Sequence, residues 1–285
     1  MKLIAIDLDG TLLSSKIKIS EENIAAIRKT QESGHVVMVC SGRAPEDIKK
    51  ILKDHHLDCP VAGSNGTVVY IKEKLLHMVS LAENDAKTVA AILEDDHMPY
   101  RVYTSHGIYV PKKWSQYVSE VIQSGRAAID NLKAKEYTYI TEQPKENDMI
   151  KVFDEVSELL DNEVVAIQKF FILTLDMDQK EKLSKVLGNM EGVNVTTSGQ
   201  LNLEVMEKNG NKAAGLRAVA EHFGIKIEDT VAIGDNFNDL PMLEAAGLSV
   251  AMGNGDPEIK KLCDVITLAN DENGVAYALD KYVLQ

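Results

Sequence analysis

Residues 3–13 read LIAIDLDGTLL. Leu3, Ile4, Ala5 and Ile6 form an uninterrupted apolar run, the pattern of a short strand buried on both faces. The run stops at two carboxylates, Asp7 and Asp9, followed by Gly10 and Thr11. In extended chain, residues two apart project to the same side, so these charges are expected to repel each other unless a cation or a proton relieves them. Gly10 lets the backbone turn and approach a ligand, and Thr11 adds a hydroxyl. Acids at the C-terminal end of such a strand suit an open α/β sheet, where ligands bind beyond the carboxyl ends of the strands.

Context separates this pair from its repeat at Asp176 and Asp178. A chain with 44 acidic residues contains Asp-x-Asp by chance. The second pair runs into QKEKLSKVL, so Asp178 is expected to cap a helix, where acids favour the first turn, and no chemistry is expected there.

Outward from the first strand, apolar and amphipathic segments alternate. Ser20 is the expected N-cap of a helix that ends before Gly34. HVVMVC (35–40) is a second buried strand, followed by Ser41-Gly42-Arg43 and a helix from Pro45. A third strand precedes Ser64-Asn65-Gly66. From about residue 83 to 206 the texture changes. Helices are expected near 84–97, 112–130 and 178–190, a strand over 164–175, and hairpins in YRVYTSHGIYV and VNVTTSGQLNLEV, turning at Ser105-His106-Gly107 and Ser198-Gly199. The strand and helix alternation then resumes with TVAIGD (230–235), LSVAM, DVITL and a final helix to Tyr282. The expected architecture is a doubly wound, parallel-sheet α/β core made of 1–82 and 207–285, with an α+β cap inserted over 83–206 and a ligand cleft between them.

Composition narrows the chemistry. The chain has 285 residues, 45% hydrophobic, with a formal net charge of −13. Such a chain buries a substantial core, and its charge argues against nonspecific binding to nucleic acid or an anionic membrane. An anionic substrate would therefore need local cations or a metal. Cys40, Cys59 and Cys263 are scattered and odd in number, indicating neither a disulfide framework nor a zinc site. No apolar run approaches about 18 residues and no charged leader precedes one, so a cytoplasmic protein is expected. Oligomeric state has no signature.

Three further clusters fall where core strands end. Ser41-Gly42 offers a hydroxyl and amides to a phosphoryl oxygen at a helix start, although Ser-Gly is also ordinary loop chemistry. Lys212 lies in the first turn of a helix, where a cation opposes the helix dipole and calls for an anionic partner; a solvated lysine is the plainer account. Val231-Ala-Ile-Gly-Asp235 repeats the opening logic and continues Asn236-Phe237-Asn238-Asp239. Hard oxygen donors of this kind suit Mg²⁺, while an Asp/Asn-rich turn also caps helices. Asp239 is expected either to cap or to orient Lys212.

In this order the four clusters resemble the motifs of the haloacid dehalogenase (HAD) superfamily of phosphatases: Asp7-Leu8-Asp9-Gly10-Thr11, Ser41, Lys212 and Gly234-Asp235-Asn236-Phe237-Asn238-Asp239. The inserted module looks like the large α+β cap of the Cof-type branch, subfamily IIB. Ser64-Asn65-Gly66, Ala251-Met252-Gly253-Asn254 and Asn270-Asp271-Glu272-Asn273-Gly274 extend the resemblance over nearly the whole chain. Gly255 and Asn211 depart from the usual pattern without removing a reacting group.

The resemblance implies a Mg²⁺-dependent phosphatase acting on a small phosphorylated metabolite, a sugar phosphate or a flavin-related phosphate. Asp7 would be the nucleophile and Asp9 the acid, then the base. Asp7, the Asp9 carbonyl and Asp235 would hold the metal. Leu8, Ser41, Gly42, Lys212 and Asn238 would hold phosphoryl oxygens, with Thr11, Asn236 and Asp239 in support. Arg43, Asn65, Arg101, Tyr103, His106 and Tyr109 are candidate substrate contacts, although alternation along the cap hairpin would turn about half of its residues away. A phosphomutase or phosphotransferase would use the same aspartyl-phosphate with another acceptor, and a non-catalytic metabolite-binding module would have no reason to keep all four charged groups. Asp9 argues for phosphate over dehalogenation.

Overall fold

The computed structural model describes residues 1–130, 132 and 134–284. The chain forms two compact units, Met1–Met78 with Gly210–Gln285, and Val79–Asn209. No helix among the described residues is long and apolar enough to cross a membrane.

The first unit begins with β1 (Leu3–Ile6), α1 (Glu21–Glu32), β2 (Val36–Cys40), α2 (Pro45–Asp54), β3 (Val61–Gly63), β4 (Val68–Ile71) and β5 (Lys74–Met78). Ser20 caps α1 by accepting from the Asn23 amide at 3.2 Å. Proline opens α2, where its missing N–H is no loss.

The second unit contains α3 (Glu83–Asp95), β6 (Tyr100–Thr104), β7 (Gly107–Pro111), α4 (Trp114–Gln123), α5 (Ala134–Thr141), β8 (Ile150–Phe153), α6 (Ser157–Leu160), β9 (Ile167–Leu173), α7 (Met177–Gly188), β10 (Val193–Thr196) and β11 (Asn202–Glu207). Its six-stranded sheet has the order β10-β11-β9-β6-β7-β8 and is antiparallel except for β7 beside β8. Tyr100, Val102, Phe170, Ile172, Leu203 and Val205 pack in one cluster with Val89 and Leu93 of α3 and Leu183 and Leu187 of α7. By alternation, Arg101 and Tyr103 stand on the opposite face of β6. Two local expectations are corrected. The helix expected over 112–130 stops at Gln123, before Gly125 at φ 73°. The cap of α7 is Asp176, which accepts from the Asp178 and Gln179 amides, so Asp178 lies one turn position inside the helix.

The chain returns to the first unit through α8 (Lys212–Phe223), β12 (Thr230–Gly234), α9 (Leu240–Ala245), β13 (Leu248–Ala251), α10 (Pro257–Leu262), β14 (Val265–Ile266) and α11 (Gly274–Tyr282). The eight strands run β14-β13-β12-β1-β2-β3-β4-β5. From β14 to β3 the sheet is parallel. The hairpin of β4 and β5 adds two antiparallel strands to one edge, which the expectation of a parallel sheet did not include. Odd and even residues of one strand serve two helix layers. Ile4 and Ile6 pack with Ile24, Ile27, Ile48, Val275 and Leu279, whereas Leu3 and Ala5 pack with Leu216, Val219, Met242 and Ile259. That double burial is why β1 reads as a continuous apolar run. β1 lies between β2 and β12, so the chain leaves it toward one edge early and returns on its other side late. The carboxyl ends of β1 and β12 therefore mark the topological switch point of the sheet.

Candidate active site

Ile6 stands opposite Ile233 in the parallel pair of β1 and β12, and the Asp7 amide donates to the Ile233 carbonyl at 2.9 Å. This register brings Asp7 beside Gly234 and Asp235. The backbone turns at once, with Leu12 N–H donating to Asp7 O and Leu13 N–H to Leu8 O. Gly10 has φ 81°, and a Cβ there would lie 2.5 Å from Asp235 Oδ2, so the position needs both the left-handed conformation and the missing side chain. Asn254 Nδ2 holds the Gly10 carbonyl at 2.8 Å.

Because the turn starts at Leu8, Asp7 and Asp9 do not share the extended geometry that the sequence reading assumed. Asp7 is buried, whereas the Asp9 side chain is 53% exposed and is held by Arg43. The anions pressing on Asp7 are Asp239 and Asp235, from the other side of the switch point. Among the described residues, Asp7, Asp235 and Asp239 form the carboxylate group with donor atoms within 4.8 Å of one another; the Asp9 carboxylate is outside it.

Lys212 opens α8, capped by Asn211, and is fully buried. Its ammonium lies 2.5 Å from Asp7 Oδ1 and 2.5 Å from Asp239 Oδ1, which supplies the anionic partners that a cation in a first turn calls for. The other Asp239 oxygen accepts from the Asp235 and Asn236 amides at 2.8 and 3.0 Å. Asp239 is thus committed to shaping the loop after β12 and fixing Lys212. Thr11 donates to Asp235 Oδ1 at 3.2 Å. Gly66 packs where a Cβ would lie 2.5 Å from the Asn211 carbonyl, so the third loop abuts the start of α8.

The remaining core candidates gather around this centre. Ser41 is buried after β2, its amide donates to Ala62 O, and its Oγ accepts from the Arg43 amide at 3.2 Å. Gly42 and Leu8 lie in the adjoining loops, Leu8 fully buried. Asn65, at φ 60°, donates its amide to Ser41 O and accepts through Oδ1 from Asn238 Nδ2 at 3.3 Å, linking the loops after β2, β3 and β12. Asn236 turns inward on its own loop, accepting from the Phe237 amide. The pairing of Arg43 with Asp9 was not foreseen; its only sequence signal is an arginine two residues beyond Ser41.

The cap candidates separate. Arg101 is buried against the Trp114 ring, and Tyr103 lies beneath the Lys169 ammonium at 4.4 Å. Tyr109 is opposite Val102 and packs on the helix-covered cluster, away from the Arg101 face. His106 is exposed in the hairpin turn beside Ser105.

Electrostatically the centre is short of positive charge. Burial first, then the Asp239 and Asp235 charges, push the Asp7 carboxyl well above its usual range against the pull of Lys212. Burial and Asp239 raise Asp235 to about 6, opposed by Lys212 and Thr11. Burial opposes charging of Lys212, but Asp239 and Asp7 outweigh it and hold the ammonium well above its ordinary value. Asp7 Oδ2 is buried with no hydrogen-bond donor among the described residues. A divalent cation fits this arrangement, since it would match both the unshared oxygen and the excess carboxylate charge.

A doubly wound α/β protein with a buried carboxylate centre at its switch point is the class that this fold and site define. The chain matches the haloacid dehalogenase-like hydrolase family over residues 4–279. It is 33% identical over 283 residues to phosphatase YwpJ of Bacillus subtilis, covering 98% of this chain and 99% of that one. It is 32% identical over 282 residues to the B. subtilis 5-amino-6-(5-phospho-D-ribitylamino)uracil phosphatase YwtE, covering 99% and 98%. A solved haloacid dehalogenase-like hydrolase from B. subtilis superposes with a TM-score of 0.86 at 31% identity, over 99% of this chain and 100% of that one. The IIB sugar phosphatase BT4131 shares the fold, with a TM-score of 0.80 at 21% identity over the full length of both chains. The chain belongs to the haloacid dehalogenase-like hydrolases and is a phosphatase, with the fold of their IIB branch.

Proposed function

We propose that this enzyme is a Mg²⁺-dependent phosphomonoesterase for small phosphorylated metabolites that works through an aspartyl-phosphate on Asp7. The observation that carries this reading is the asymmetry of the Asp7 carboxylate. One oxygen is fixed by Lys212, and the other is buried beside Asp235 with no donor on it among the described residues.

Asp7 attacks phosphorus and the ester oxygen leaves. Asp9 gives the departing alcohol its proton, then takes one from the water that cleaves the aspartyl-phosphate. Arg43, bound to both Asp9 oxygens, positions that carboxyl group. The Ser41 hydroxyl, the Leu8 and Gly42 amides, Lys212 and Asn238 hold phosphoryl oxygens as charge moves among them. An ammonium has three N–H donors, so Lys212 keeps one for phosphate while the others hold Asp7 and Asp239. Asp7, the Asp9 carbonyl and Asp235 would hold Mg²⁺, which when bound offsets repulsion between the carboxylates and a dianionic phosphate.

Two named relatives act on a ribitylaminouracil phosphate, which supports a flavin-related phosphate for this chain beside the sugar phosphates. The test is phosphate release from a panel of phosphorylated metabolites, with p-nitrophenyl phosphate as reference. Turnover should require Mg²⁺, and Asp7→Asn should fall to background hydrolysis. Multiple turnovers by that variant would overturn the reading, and p-nitrophenol release that needs an added alcohol acceptor and yields its phosphate ester in place of free phosphate would make the protein a phosphotransferase.

A further inference from the structure

The turn after β1 is also held by two side chains that the proposed chemistry does not use. Asn254, in the loop between β13 and α10, donates through Nδ2 to the Gly10 carbonyl at 2.8 Å and accepts through Oδ1 from the Asn270 amide at 2.8 Å. Asn270 sends its own Nδ2 to the Leu13 carbonyl at 2.8 Å. The stretch from Gly10 to Leu13 is therefore fastened at both ends, and the two fasteners are bonded to each other. Ser15 extends the contact, its amide donating to Asp271 Oδ1 at 2.8 Å.

A carboxamide has a donor and an acceptor in one plane, so one Asn254 side chain serves Gly10 and Asn270 together. Its orientation is set by its partners, because a carbonyl can only accept and a backbone amide only donate. The loop that carries it is itself anchored: the Gly253 amide donates to the Leu268 carbonyl at 3.0 Å, and Lys260 Nζ to the Gly253 carbonyl at 3.1 Å. The Asp256 amide donates to the Asp235 carbonyl at 2.8 Å, so this loop reaches both acidic turns. Asn254 is exposed. Water can take over hydrogen bonds at such a place, and they add little to stability. What water does not supply is a fixed position for Gly10.

We infer that Asn254 and Asn270 are positioning residues for Asp9. They hold the backbone that follows it, while Arg43 holds its carboxylate. The catalytic consequence rests on the proposed phosphomonoesterase reading; the fastening of the turn does not.

Asn254→Ala, Asn270→Ala and the double variant test this in two assays. Hydrogen exchange reads the Leu12 and Leu13 amides, which close the turn on Asp7 and Leu8, without any turnover. Exchange there should quicken severalfold in each variant, with melting temperatures close to wild type. In turnover with saturating Mg²⁺, kcat/KM covers the steps through departure of the leaving group. An alkyl phosphate needs a proton on its leaving oxygen, whereas p-nitrophenolate is a weak base and leaves almost unaided. Asn254→Ala should therefore lose about tenfold in kcat/KM on an alkyl phosphate and at most about twofold on p-nitrophenyl phosphate. The double variant should lose about as much as the worse single one, because either change frees the same turn. Unchanged exchange, or equal losses on the two esters, would overturn the positioning role, and losses that multiply in the double variant would show that the asparagines do not act as one device. Quickened exchange in a protein without phosphatase activity would keep the fastened turn and remove the catalytic reading.

Discussion

Arg43 grips both oxygens of Asp9, with Nε 2.8 Å from Oδ2 and Nη2 2.7 Å from Oδ1. The fork fixes the carboxylate plane in a way that a lysine point charge does not. Both side chains are partly exposed, 31% and 53%, so the pair adds at most about 1 kcal/mol to stability. Its value lies in aim. Arg43→Lys and Arg43→Met should therefore melt within a few degrees of wild type and still bind Mg²⁺, yet lose roughly ten- to a hundredfold in kcat, part of the contribution typical of a positioned acid–base group. The lysine variant should recover little. Steady-state kinetics beside thermal melts would decide it, and full activity in Arg43→Met would remove Arg43 from the mechanism.

Asp239 is the buried hinge of the centre. It pairs with Lys212 through one oxygen and accepts two backbone amides through the other. In Asp239→Asn, Lys212 keeps only Asp7 as a charged partner, and the two amides lose a charged acceptor. Breaking a buried pair costs on the order of 3 kcal/mol, so the variant should melt well below wild type. Because the Asp239 charge is among the causes that raise Asp7 and Asp235, both carboxyls should titrate lower in it. Carboxyl NMR on the metal-free variant would show this, and an unchanged Asp235 titration would contradict the charge arrangement described here.

Asp235 gives the protein a defined pH response. Its value in the metal-free fold is about 6, against an ordinary 3.8. The fold thus favours the protonated form, and the stability tied to that proton is complete below about pH 4 and lost as pH rises through about 6. The shift of roughly two units corresponds to about 3 kcal/mol. A bound divalent cation reverses the preference by stabilising the carboxylate. In chelator the melting temperature should therefore fall between about pH 4 and 6, and the increment gained from Mg²⁺ should grow over the same interval. Parallel melts with Mg²⁺ and with chelator measure both; an increment independent of pH would exclude Asp235 as a ligand.

Much of this centre was legible because its residues sit where apolar runs stop. Asp7 and Asp235 each end a buried strand, and the double burial of those strands shows directly in LIAI and VAIG. Lys212 was legible as a misplaced charge at a helix start. What stayed hidden depends on contacts between distant segments. Nothing local says that Arg43 reaches Asp9, that Asn65 and Asn238 meet, or that Asp239 rather than Asp9 presses on Asp7. The β4–β5 hairpin was missed although β4 is an apolar run with Val68 and Val69 buried: β5 is largely exposed and lacks the buried-strand pattern, and the turn between them uses Lys72 at φ 54° in place of a glycine.

Gly10 joins the two halves of the centre. It turns the chain after Asp9 at φ 81°, and its missing side chain leaves room for the Asp235 carboxylate. Gly10→Ala adds one methyl group, but in a conformation that costs an L-residue about 1 kcal/mol and at a point where the carboxylate must move. Asp235 is also tied to Thr11, the next residue, at 3.2 Å, so the displacement falls on the carboxylate and not on a loose surface chain. The variant should unfold a few degrees below wild type and bind Mg²⁺ at least tenfold more weakly. Its substrate KM at saturating Mg²⁺ should change less than its Mg²⁺ requirement, because Ser41, Asn238 and Lys212 are untouched. Mg²⁺ titrations of activity and of melting temperature would show the two effects separately, and a normal Mg²⁺ requirement would mean that Asp235 has freedom to withdraw from Gly10 without loss.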